Sequence, residues 1–138
     1  MKKIISTLFI IGFLLSCKEV KKETPKPTQM ELVMQIHDEV MPKMGTLGKL
    51  VGELNPKIDS TEVGQKYEAA VKDLQESHKS MMTWMRGFGE RFDSDEILNG
   101  KRLTPQKQEW LNDEEEKVKA LREQINSSIE KAENLLKD

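Results

Sequence analysis

Three apolar stretches at helical spacing, punctuated by proline signals, fix most of what this chain can fold into. Pro42 lies inside the first stretch, Asn55-Pro56 ends it, and Thr104-Pro105 opens the last. Proline lacks the amide hydrogen that a helix interior needs, and its ring crowds the carbonyl four residues earlier. Residues 30–54 are therefore predicted as a helix kinked near Val40 and Met41, or as two helices meeting there, ending where Pro56 disfavours helical backbone in the residue before it. Asp59 with Glu62 three residues later reads as a capping box. The second helix it opens is predicted to run to about Phe92. Its apolar stripe holds Val63, Tyr67, Ala70, Leu74, Met81, Met85, Phe88 and Phe92. Gly87 and Gly89 are expected to fray its last turn.

Residues 93–103 read as a loop turning at Asn99-Gly100. Thr104 is a hydroxyl N-cap with Pro105 at the first helical position, so a third helix is predicted to about Lys137. Leu111, Val118, Leu121, Ile125, Ala132 and Leu135 keep heptad spacing there, while Glu114 and Ser128 interrupt it. No alternating strand pattern occurs. The expected class is all-α, a three-helix antiparallel bundle with up-down-up order. The alternative is a helical hairpin that completes its core by dimerising, so the chain is expected as a monomer or a helical dimer.

Ahead of the helices stands a leader. Lys2 and Lys3 precede an apolar segment, residues 4–15, which is too short to span a bilayer, and Leu14-Leu15-Ser16-Cys17 closes it. This order reads as a bacterial lipoprotein signal peptide, residues 1–16, with Cys17 as the lipidation site. The mature chain would be held on a membrane through that lipid, in the cell envelope and at the outer membrane. Residues 17–29, with mixed charges and two prolines, read as a flexible tether. Residues 30–138 form the expected helical domain.

Composition narrows the partners. The chain has 138 residues, with 22 basic and 24 acidic, and the leader holds two of the lysines and no acid. The remainder is thus mildly acidic and lacks the basic stripe that phosphate binding requires, so no nucleic-acid partner is expected. The only cysteine is Cys17. An internal disulfide and a thiolate metal site are excluded, and packing alone must stabilise the domain.

Seven of the eight methionines lie downstream of the leader. On a helical wheel of the first helix, Met30, Met34, His37, Met41 and Met44 gather on one flank with Gly48 and Gly52. On the second helix, His78 falls in the stripe beside Met81, Met82 and Met85. A turn centred near Lys57 and Ile58 would pair His37 with His78, Met34 with Met81, and Met30 with Met85. Imidazole with thioethers is a soft ligand set that suits Cu(I), so His37, His78, Met34, Met41, Met81 and Met82 are the candidate metal ligands. The competing reading is a methionine-rich core with no cofactor, because methionine fills irregular helical interiors and a histidine on an apolar face is often a hydrogen-bonded core residue.

Weaker patterns reduce to ordinary surface. Asp93-Ser94-Asp95-Glu96 starts like a calcium loop, but Leu98 takes the glycine position. Asn126-Ser127-Ser128 matches a glycosylation triplet but lies mid-helix. The acidic run at residues 113–116 favours the dipole at the start of the third helix. His37-Asp38-Glu39 has no nucleophile or phosphate-binding loop beside it, so the chain is not expected to be an enzyme.

The stretches HDEVMPKM, residues 37–44, and MMTWMRGF, residues 81–88, resemble a group of short bacterial envelope lipoproteins often labelled "viral A-type inclusion protein". The resemblance covers most of residues 30–137. It implies a helical envelope lipoprotein with no established activity, and it brings no functional residues with it. The leading expectation is a non-enzymatic binding or structural lipoprotein with an envelope protein or component as partner. The alternative is a Cu(I)-binding envelope protein.

Overall fold

The computed structural model describes residues 26–137, and every regular element among them is helical. The leader, Cys17 and most of the expected tether lie outside the described residues. The chain is all-α, with helices α1 (Gln29–Val40), α2 (Lys43–Leu54), α3 (Glu62–Arg91), α4 (Ser94–Leu98) and α5 (Pro105–Lys137).

α1 begins inside the segment expected to be tether. The Thr28 side chain accepts from the Glu31 amide at 3.3 Å, and the Glu31 carboxylate accepts from the Thr28 amide at 2.6 Å. This reciprocal box satisfies two otherwise unpaired amides and starts the helix at Gln29. Pro42 then separates α1 from α2 as expected. The break is short, since the Met41 amide still donates to the His37 carbonyl at 3.0 Å.

A 3₁₀ turn, Asn55–Lys57, ends α2, with Pro56 in its first positions. The cap of α3 is a correction to the sequence reading. Thr61, not Asp59, is the N-cap, accepting from the Gly64 amide at 3.0 Å. Asp59 sits one step further out and accepts from the Thr61 amide at 2.9 Å. The loop folds so tightly over the helix start that a Cβ at position 64 would strike the Asp59 carboxylate and lie 2.6 Å from its backbone nitrogen. Glycine is required there by space.

α3 continues unfrayed through Gly87 and Gly89 to Arg91. Part of the expected loop is the short helix α4. Asp93 caps it, accepting from the amides of Asp95 and Glu96, while Glu96 returns a bond to the Asp93 amide. The pattern weighed as a calcium loop is thus a second capping box. Gly100 turns the chain at φ 67°, a region glycine enters without steric penalty. Thr104 then caps α5, accepting from the Lys107 amide at 3.2 Å.

The core is built from seven-residue ladders. Val33, Val40, Leu47 and Leu54 descend α1 and α2, keeping step across the Pro42 break. Leu74, Met81 and Phe88 descend α3, and Leu111, Val118, Ile125 and Ala132 descend α5; all are buried. A strict heptad seam is what lets helices pack side by side over their full length. Val63, expected in the stripe, is 52% exposed. α3 packs along α5, α2 packs chiefly on α3, and α1 packs chiefly on α5.

Cross-helix pairs show how the elements run. Arg91 meets Glu114, Ser77 meets Ser128 and Asp73 meets Lys131, so residues late in α3 pair with residues early in α5. Gln29 with Asn112, Glu39 with Arg122 and Lys43 with Asn126 keep a constant offset of 83 residues, so α1 and α2 advance alongside α5.

Candidate functional site

Two places concentrate polar chemistry against the packed core. The first is the seam where α1 and α2 meet α3. His37 projects from α1 with its side chain 18% exposed. Its Nε2 lies 3.3 Å from the Met85 sulfur, its Nδ1 lies 2.9 Å from the Asp38 carboxylate, and its ring lies 5.9 Å from that of Trp84. A carboxylate only accepts, so Nδ1 carries a proton and donates to it.

The structure does not bring the two histidines together. His37 faces Met85, seven residues beyond its expected partner. His78 is exposed and borders a shallow apolar hollow with Leu47, Gly48, Val51 and Leu74. Seven residues of helix span about 10 Å, which separates the two imidazoles along α3. The physical cause is the connection between α2 and α3. Its 3₁₀ turn packs back along α3, with the Lys57 ammonium 5.9 Å over the Tyr67 ring. The first facing residues of α3 therefore lie deeper in the helix than a tight turn would place them.

The remaining candidate ligands divide. Met81 is fully buried in the core, and Met82 is 45% exposed. Met34 and Met41 are partly buried and pack against the core edge, as do Met44 and Met85. Among the described residues, no three of His, Cys, Asp and Glu gather around one point. A site on this seam would rest on one imidazole and thioethers.

The second place is a groove on the other side of α3, along α5, with a volume of about 570 Å³. Ser80, Thr83, Gly87 and Ala120 keep its walls low, and Trp84 and Leu121 form part of its lining. Glu114 is buried at its edge, held by Arg91 and by Lys117 at 2.8 Å. The Arg91 guanidinium also lies 5.7 Å over the Trp110 ring. The Trp84 ring stacks on Phe88 with centroids 4.9 Å apart, and its buried indole N–H meets no acceptor among the described residues.

The sequence reading missed Trp84, Arg91 and Lys117. Trp84 carries a signal, since it lies two heptads beyond Ala70, which the stripe already included, and both are buried. No family model, curated protein or solved structure matches this chain.

Proposed function

We propose that this chain is a lipid-anchored bacterial envelope protein that binds or scaffolds rather than catalyses. In this reading residues 1–16 are a signal peptide, Cys17 carries the lipid, and a short tether ends at Thr28. The helical domain is an up-down-up three-helix bundle.

The observation that carries the reading is the order of parts in the chain. A positively charged, briefly apolar leader closes on Leu-Leu-Ser-Cys, a charged proline-containing stretch follows, and helices with their own core begin at Gln29. The bundle order is supported by the paired residues that run oppositely along α3 and α5 and together along α1 and α5. The non-enzymatic part is supported by the state of the buried acids. Glu114 is tied to Arg91 and Lys117, and Glu96 is tied to Lys107 at 2.6 Å. Carboxylates spent in ion pairs hold helices together and are poorly placed to exchange protons with a substrate.

The test is the anchor. The full chain, expressed in a bacterium fed a labelled fatty acid, should take up label and fractionate with membranes. Cys17→Ser should lose the label and leave the membrane fraction. Equal fractionation of both forms, with neither labelled, overturns the reading.

A further inference from the structure

The geometry points to a Cu(I) site on the α1–α3 seam formed by His37 Nε2 and Met85 Sδ, with Met41 as the third donor and without His78. The inference is independent of the lipid-anchor reading.

The argument starts from the imidazole. Asp38 fixes the proton on Nδ1, so a neutral His37 has a bare lone pair on Nε2. Nε2 lies 3.3 Å from the Met85 thioether sulfur, itself a weak acceptor. With a proton on Nε2 this is an N–H···S hydrogen bond, and a soft metal ion can take that proton's place. A soft monovalent metal matches both donors, since imidazole and thioether together select Cu(I) over hard divalent ions. An imidazole whose other nitrogen donates to a carboxylate is also the usual arrangement of a metal-bound histidine, because that bond fixes the ring and raises its basicity.

Imidazole and one thioether supply two soft donors, and a third from the same seam would complete the site. Met41 is placed to give it. Its amide donates to the His37 carbonyl, so the backbone between them remains helical and the two side chains lie one turn apart on the same face. Met41 is also partly buried against the core.

Two other candidate methionines fit less well. Met81 is fully enclosed by the core, and Met82 turns outward. The Trp84 ring lies next to the site, 5.9 Å from that of His37.

The experiment uses the full chain in detergent with Cys17→Ser as the background, so that no thiolate competes. Cu(I), kept reduced with ascorbate, is titrated against a colorimetric Cu(I) chelator. One ion per chain is expected. His37→Leu and Met85→Leu should each weaken binding at least tenfold, Met41→Leu should weaken it, and His78→Leu should leave it unchanged. Circular dichroism on each variant separates loss of the site from loss of the fold. Leucine suits these apolar surroundings, so folded variants are expected. Redox-inert Ag(I) should shift the methyl resonances of Met41 and Met85 and leave that of Met82 in place. The proposal is overturned if the parent leaves Cu(I) with the chelator, if folded Met85→Leu binds as the parent does, or if His78→Leu abolishes binding.

Discussion

Ser77 and Ser128 occupy heptad positions where an apolar side chain would ordinarily sit, and each is buried. Their hydroxyls lie 3.0 Å apart. Ser128 is 2.9 Å from the Ile125 carbonyl, and Ser77 is 2.8 Å from the Asp73 carbonyl. Ser77 donates to the Ser128 hydroxyl and Ser128 donates to the Ile125 carbonyl, so the pair offsets its own desolvation across the α3–α5 interface. Removing both hydroxyls leaves no buried donor stranded. The double variant Ser77→Ala, Ser128→Ala should unfold in urea within about 1 kcal/mol of the parent. Glu114 behaves differently, because its charge stays when a partner is lost. Arg91→Ala should cost about 1–3 kcal/mol and more than the double serine change. The reverse order of the two losses would show that the serine pair holds the interface. In the sequence, Glu114 and Ser128 are visible as breaks in the seam of α5. Their partners are not, since Ser77 looks like a surface residue and Arg91 looks like an ordinary charge near a helix end.

At the scale of elements, local chemistry was legible wherever a single signal decided it. Pro42 breaks the first helix, Pro56 ends it, and Thr104-Pro105 starts α5, each as the steric rule requires. The start of α3 shows where such signals compete. Asp59 and Thr61 are both good caps, and glutamate stands three residues beyond the first. The choice falls on Thr61 because Gly64 lets the loop fold over the helix start, a tertiary fact with no mark in the local pattern. Thr61→Ala should destabilise the protein by about 1 kcal/mol, as loss of a hydroxyl cap commonly does. Asp59→Ala should lower the melting temperature less, and a larger drop for Asp59→Ala would make Asp59 the cap. The register between α1 and α3 was illegible for a related reason. Heptads fix which face a helix presents, but a shift of seven residues preserves that face. Only the path of the connecting turn selects between registers, and so the pairing of His37 with Met85 had to come from the structure.

Across the whole molecule, charge sets the range of conditions in which the fold holds. The carboxyls of Glu31 and Asp59 sit below their ordinary values through bonds to Thr28 and Thr61. Asp93 and Glu96 are lowered by Lys101 and Lys107 first and then by backbone amides of the α4 cap. Glu115 is lowered by Lys119 and then by Gln29. A lowered folded pKa means that the unfolded chain takes up protons first as acid is added. The stabilisation from these groups is therefore complete above their unfolded values and is lost as pH falls through the lowered folded ones. Lys101 and Lys119 are raised by the acids they contact, Asp93 and Glu115 first. Their contribution is complete below the ordinary lysine value and is lost as pH rises through the raised one. Melting temperature should accordingly be nearly flat from about pH 5 to about pH 10 and fall on both sides. The acid limb belongs to the Thr28 and Thr61 bonds at the starts of α1 and α3 together with the Lys101, Lys107 and Lys119 pairs. Glu31→Gln combined with Glu96→Gln should therefore lower the plateau and make the acid limb shallower, while leaving the alkaline limb in place. The check is a series of thermal melts of the full chain from pH 3 to pH 12 followed by circular dichroism. A melting temperature that climbs as pH drops below 4.5, or an acid limb equally steep in the double variant, would show that these carboxylates do not hold the helix ends.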